Sequence, residues 1–294
     1  MNRLLFRLIA SLLKLISLLP FWILYLLSDI LFFFLYYLFK YRRQVVQANL
    51  ANAFPEKSVK ERAAIERRYF SFLADMIVES VKSISITKQE LKQRYQFENL
   101  GDITKHLEKG RSVIAVSGHY GNWEWGPLGI ALELNHDVLV VYKPMTDKNF
   151  DHLLNKVRSR FGTVMIPMKQ TLRKVAEYKN KPHVLVLVGD QTPTRDESQY
   201  FTTFLNQPTA VFLGVEKIAL KTNNPIIYFS IKRIKRGYYT SVVKPLIDNP
   251  RKCSEYEITD AHTDELENLI INNPDFWLWS HRRWKFKPED IKHE

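Results

Sequence analysis

A single cysteine, Cys253, occurs in 294 residues. No internal disulfide can form, and no cysteine-rich zinc site can be assembled. Its neighbours Ser254 and Glu255 offer the thiol no activation, so Cys253 is read as incidental. The chain also lacks an internal repeat, a low-complexity tract and a Gly/Ser linker. One catalytic domain (41–294) on an attachment segment (1–40) is the expected organisation. There is no G-x-S-x-G elbow to present a serine nucleophile. There is no H-x-x-x-H pair either: His136, His152, His183, His262 and His281 are scattered, which argues against a metal hydrolase built on clustered imidazoles. Acidic residues are the minority, 31 against 43 Lys and Arg, for a net charge of +12. Such a surface suits an anionic partner: phospholipid headgroups, nucleic acid or an acidic carrier protein. No nucleic-acid partner is expected, because the recognised motifs are absent and the aromatic residues gather in the first forty positions instead of interleaving with Lys and Arg on strands.

What is present is concentrated at the amino terminus. From Leu15 to Phe39 the chain is apolar, interrupted by Ser17, Pro20, Ser28 and Asp29. A bilayer-spanning helix needs about 20 such residues, so the run is long enough to cross. It fits a cleaved signal peptide badly, being too long and lacking a small-residue cleavage site before Lys40-Tyr41-Arg42-Arg43. A buried hairpin is a poor alternative, since no soluble core needs Phe32, Phe33, Phe34, Tyr36 and Tyr37 together. Pro20 and Asp29 leave another open: two helices, Arg3 to Leu19 and Phe21 to Phe39, lying in or re-entering the interface. Flanking charge does not orient the segment, because Arg3, Arg7 and Lys14 oppose Lys40, Arg42 and Arg43.

Helical spacing follows (Phe70, Phe72, Leu73, Met76, Ile77, Val81), with Pro55 marking a break between two helices. Strands are expected at Val113 to Val116, Val138 to Tyr142, Val164 to Ile166, Val184 to Val188, Ile226 to Ile231 and Tyr239 to Val243. Helices are expected at Asn122 to Leu134, Phe150 to Phe161, Gln170 to Lys179 and Ala210 to Thr222. This alternation predicts an α/β layer fold with a mostly parallel sheet.

The segment Ser-Gly-His-Tyr-Gly-Asn-Trp-Glu-Trp, 117–125, reads as a strand end, a tight turn and a helix start, where open α/β folds place their chemistry. Gly118 and Gly121 bracket His119 and permit a sharp turn. His119 and Glu124 would splay by about 140° on one continuous helix. They meet only with His119 on the turn and Glu124 on the first helical turn; a carboxylate there could hold one imidazole nitrogen and leave the other free for a proton. The bland alternatives are a core histidine at a strand end and a helix-start acid favoured by the dipole.

Several segments, in order, resemble the late acyltransferases of bacterial lipid A biosynthesis, the lauroyl/myristoyl transferase family. They are Tyr41-Arg42-Arg43, Asn49-Leu50, Ala53-Phe54-Pro55, the His119/Glu124 block, the Val-Tyr-Lys-Pro run ending at Pro144, Val157 to Gly162, Gly189-Asp190-Gln191, Thr209 to Gly214, and Trp277 to Lys285. The likeness covers nearly the whole chain. It implies a glycerolipid-acyltransferase-like fold, a mixed and mostly parallel sheet flanked by helices behind an N-terminal membrane helix. It also implies transfer of a fatty acyl chain from acyl carrier protein to a hydroxyl of a phosphorylated glycolipid, at the cytoplasmic face of the bacterial inner membrane, without a cofactor. A related acceptor, an amino lipid or another glycolipid, stays open. By motif, His119 is the expected general base, Glu124 its orienting partner, Arg158 the arginine near the active site, and Asp190 the aspartate after a later strand. Many members carry Asp where this chain has Glu124, and Arg in the block that here holds Lys143; Arg160 competes with Arg158 for its place.

The chemistry can be read without the family. A thioester already has a good leaving group and needs only a stronger nucleophile. A neutral imidazole accepting the attacking hydroxyl's proton contributes typically ~10²–10⁴-fold. Backbone N–H groups from Gly121 through Asn122 to Trp123, or the Arg158 guanidinium, are candidates to meet the substrate and its oxyanion, with Lys143 a candidate substrate contact. Direct transfer is expected, with Ser117 a packing residue. Asp190 either caps the following Thr-Pro turn or joins the site. Trp277 to Lys285 is expected to lie at the membrane interface.

Overall fold

The computed structural model describes residues 3–290. The helices α1 (Arg3–Ser17), α2 (Phe21–Phe33), α3 (Arg43–Ala53) and α4 (Val59–Lys82) come first. They lead to α5 (Lys88–Arg94), β1 (Tyr95–Glu98), α6 (Gly101–Leu107), β2 (Val113–Ser117), α7 (Trp125–Glu133) and β3 (Asp137–Tyr142). Then follow α8 (Lys148–Arg158), β4 (Val164–Pro167), α9 (Thr171–Glu177), β5 (His183–Val188), β6 (Tyr200–Phe204) and β7 (Gln207–Val211). The chain closes with α10 (Gly214–Thr222), β8 (Ile226–Lys235), β9 (Tyr238–Ile247) and α11 (Glu257–Asn272).

Seven strands form one sheet in the order β1-β9-β8-β2-β5-β3-β4, and β6 and β7 make a separate hairpin. From β8 to β4 the pairing is parallel, while β8 and β9 form an antiparallel hairpin. All five residues of β2 are buried, as a parallel strand covered on both faces requires. The strand period of two sends Ile114 and Val116 to one core and Val113 and Ala115 to the other. The fold class expected from the alternation is therefore what is found. The six expected strands are present with longer ends. Short β1 and the β6–β7 hairpin carry too little apolar periodicity to be read, and Ala210 and Val211, expected in a helix, belong to β7.

Pro20 divides the apolar run, ending α1 at Ser17 and starting α2 at Phe21. The run is two helices, not one uninterrupted span. Between Ala53 and Val59, Pro55 separates α3 from α4, whose start is locked by a Ser58–Glu61 capping box.

Candidate active site

The turn after β2 is shaped by two glycines. Gly121 has φ +58, and a Cβ there would lie 2.5 Å from Ile231 Cγ2; at Gly118 a Cβ would come within 2.7 Å of Leu266 Cδ1. Larger residues would push the turn off the sheet. The carboxy-terminal segment pins it from the other side: Gly121 N–H donates to Phe276 O at 3.0 Å and Leu278 N–H to His119 O at 3.2 Å.

His119 and Asp190 are brought together by neighbouring parallel strands. His119 Nδ1 lies 2.5 Å from Asp190 Oδ1, and the His119 backbone N–H donates to Asp190 Oδ2 at 2.9 Å. Trp277 Nε1–H gives Oδ2 a further hydrogen bond at 2.8 Å. Burial alone would raise the Asp190 pKa, but the His119 charge and these donors hold it well below the usual carboxylate range. With Asp190 an ionised acceptor, Nδ1 carries the imidazole proton and Nε2 the lone pair. Burial opposes the imidazolium, yet the Asp190 charge and hydrogen bond, with Glu124 behind them, raise the His119 pKa, Arg158 working against them. Gln191 Nε2 approaches His119 Nε2 at 3.2 Å, and Trp123 packs edge-on to the ring at 5.3 Å.

This arrangement corrects the expected partner of the histidine. Glu124 stands just before α7, makes no capping hydrogen bond, and pairs with Arg158, whose Nε and Nη2 donate to its two carboxylate oxygens at 2.9 and 2.6 Å. A guanidinium matches a carboxylate through two parallel bonds, as an imidazole cannot. Burial lowers the Arg158 pKa, but hydrogen bond and charge from Glu124 outweigh it and the net shift is upward. Arg160, the competitor of Arg158, turns away to the Ser83 carbonyl.

Two expected substrate contacts are engaged inside the protein. Asn122 is fully buried; its Nδ2 donates to Glu79 Oε2 at 2.7 Å and its Oδ1 accepts from Trp125 N–H at 2.9 Å. The Gly121 N–H is held by Phe276. Lys143 is exposed just beyond β3, and Ser117 Oγ–H donates to Phe229 O.

The 277–285 segment is not an interfacial belt. Trp277 and Trp279 are 1% and 0% exposed and stack edge to face at 4.8 Å, because the turn needs a wall and the sheet's carboxyl edge needs a cover. His281 Nε2 accepts from Thr192 N–H at 3.1 Å, and burial first of all pushes its pKa down to about 4. Arg283 is also buried, its pKa pushed down to about 10 by burial against the pull of Asp190. It lines a small cavity with Asp190, Ser117, Tyr228 and His262.

A second, apolar cavity runs from the site beneath α7. It is lined by Trp123, Pro127, Val186, Val188, Phe229 and Ile231, reaches Tyr95 and Ser241 on the β1–β9 edge, and has a volume of ≈ 20 Å³.

Reading the sequence missed Gln191, Trp277 and Arg283 as members of the site. The available signal was order: Gly189-Asp190-Gln191 follows a buried strand as Gly118-His119 does.

The family model of bacterial lipid A biosynthesis acyltransferases matches residues 2–286. The chain is 24% identical over 259 residues to the lipid A biosynthesis palmitoleoyltransferase of Escherichia coli (strain K12), covering 85% of this chain and 80% of that one. It is 22% identical over 255 residues to the lipid A biosynthesis lauroyltransferase of the same organism, covering 86% and 82%. A Haemophilus influenzae lipid A biosynthesis acyltransferase shares 23% over 246 residues, 82% of this chain and 74% of that one.

Proposed function

Because the chain belongs to the bacterial lipid A biosynthesis acyltransferases, we propose that His119 is the general base of an acyl transfer to a hydroxyl of a lipid A precursor. Asp190, not Glu124, is its orienting partner. The acceptor oxygen attacks the carbonyl carbon of an acyl thioester while its proton passes to Nε2. The new C–O bond forms, the C–S bond breaks, and the imidazolium returns the proton to the departing thiolate. A single observation carries the assignment: Nδ1 is held at 2.5 Å by a carboxylate that accepts at both oxygens, which leaves Nε2 as the basic nitrogen.

Transfer is direct. The Ser117 hydroxyl, two residues before His119 in the sequence, donates to the Phe229 carbonyl, and the sequence has no nucleophile elbow. Arg158, fixed by Glu124, stabilises the oxyanion; Trp123 lines the apolar cavity beneath α7, which widens from its ≈ 20 Å³ to admit the acyl chain. Lys143 meets a phosphate of the glycolipid. The donor is acyl carrier protein, whose acidic surface complements a chain of net charge +12. That carrier is cytoplasmic, so residues 41–294 face the cytoplasm and residues 1–40 attach them to the inner membrane.

The test supplies purified protein with an acyl-carrier-protein thioester and a lipid A precursor, and reads the mass gained by the lipid. The parent adds one acyl chain. Transfer by His119→Ala at near the parent rate overturns the mechanism, and gain of mass by a different lipid alone overturns the acceptor.

A further inference from the structure

The apolar run at the amino terminus is long enough to cross a bilayer: Phe21–Leu38 supplies 18 residues, about 27 Å at 1.5 Å per residue. Its neighbours along that length are charged. At the near end Lys82 Nζ donates to Leu19 O at 3.1 Å and the Arg94 guanidinium lies 3.4 Å from the Phe21 ring centroid. Halfway along, Ser28 Oγ–H donates to Asp75 at 2.7 Å, Tyr25 Oη–H to Glu79 at 3.0 Å, and Arg236 pairs with Asp29 at 2.6 Å. At the far end Arg43 stands 4.2 Å from the Tyr36 ring and pairs with Glu66. The β8–β9 turn presses on the same helix, for a Cβ at Gly237 would collide with Tyr25 Oη.

A crossing helix with these partners would carry three arginines, two of them paired with carboxylates, through hydrocarbon, at a cost of several kcal/mol each. Separating the helix from α4 instead would leave Asp29 and the Ser28 and Tyr25 hydroxyls unmatched in lipid. Neither cost arises if α2 lies lengthwise on the catalytic body and turns its other face outward. That face is apolar and exposed: Trp22 (66%), Leu26 (54%), Ile30 (54%) and Phe33 (54%). On helix α1, Leu8 and Leu12 are exposed as well. This helix contains Arg3, Arg7 and Lys14 and no acidic residue, the charge pattern of helices that lie on anionic lipid.

We propose that α1 and α2 form a platform that sits in one leaflet of an anionic phospholipid bilayer without crossing it, so that both ends of the pair are on the side of the catalytic body. Phe6 of α1 meets Phe150 of α8 edge to face at 5.4 Å. The same helix α8 ends in Arg158, so the platform holds the site close to the membrane surface, where a lipid acceptor reaches it without leaving its leaflet. The inference rests on the membrane attachment proposed above and not on the acyl-transfer chemistry.

The experiment uses the full chain with Cys253→Ser and one new cysteine, Arg3→Cys, Leu18→Cys, Ile30→Cys or Lys40→Cys. Each variant is added to preformed vesicles of phosphatidylethanolamine and phosphatidylglycerol. A membrane-impermeant maleimide added outside modifies the Arg3 and Lys40 positions alike, and nitroxides at Leu18 and Ile30 report depths within about 5–10 Å of the headgroups. An Ile30 nitroxide at the bilayer midplane, or an Arg3 cysteine modified only after detergent, overturns the one-leaflet arrangement while leaving attachment intact. Protein that fails to float with the vesicles overturns attachment itself, and the platform with it.

Discussion

His119 and Asp190 each stand two residues beyond a registered pair, Ser117 and Val188, on the adjacent parallel strands β2 and β5. Parallel strands in register end together, so two side chains at equal distance from the pair are delivered to the same place. Their 2.5 Å contact is a consequence of sheet register, reinforced by the Trp277 indole on the far oxygen of the carboxylate.

Replacing either member should reduce turnover without unfolding the chain. His119→Ala is expected to lower kcat by ~10²–10⁴-fold, the usual contribution of a positioned base. Asp190→Asn should cost a comparable amount, because an amide can present its NH₂ to Nδ1 and invert the tautomer. Steady-state acyl transfer, with circular dichroism as a folding control, checks both. Near-parent turnover by Asp190→Asn would remove Asp190 from the mechanism.

The pH dependence follows from the same pair. His119 is raised and must be neutral to act, so kcat/KM should fall on the acid side with a midpoint above the ordinary imidazole value of about 6.5. Asp190→Asn should move that limb toward lower pH. Stability has the opposite limits. The raised His119 contributes below about 6.5 and loses its contribution as pH rises through its folded pKa; the lowered Asp190 contributes above about 3.9 and loses it as pH falls. The Tm deficit of Asp190→Asn should therefore be largest between about pH 4 and 6.5, and a deficit independent of pH across that window would contradict the ion pair.

Glu124 and Arg158 should behave as one unit. Their side chains are 24% and 28% exposed, so the pair is only partly screened. A double-mutant cycle with Glu124→Gln and Arg158→Met should give a coupling of about 1–3 kcal/mol in urea unfolding. In transfer assays Arg158→Met should lose more than Glu124→Gln if, as proposed, the guanidinium stabilises the oxyanion and the carboxylate holds it. Equal, additive losses would separate the two residues.

Filling the inner end of the apolar cavity should change which chain is transferred. Ser241→Leu adds bulk where Tyr95 and Ser241 close the space beneath α7. Competition between acyl-carrier-protein thioesters, read by mass spectrometry, should shift toward shorter chains. An unchanged preference would place the acyl chain elsewhere.

Much of this molecule was decided by local pattern. The buried β-branched runs made the parallel sheet, the glycines around His119 made the turn, and Pro20 and Pro55 cut the amino-terminal helices where they stand. All of these follow from the preferences of a few adjacent residues. The identity of the histidine's partner did not. Glu124 is five residues from His119 and Asp190 is seventy-one, yet proximity along the chain pointed to the wrong carboxylate. The pairing was set by strand order, which brings β5 beside β2, and by Arg158, which engages Glu124 in two hydrogen bonds. The tryptophans at 277 and 279 likewise read as a membrane belt by composition and are core by position, because only the folded sheet has an open carboxyl edge to be covered. Composition and spacing determine which elements form; which of them become neighbours is a long-range property, decided by packing.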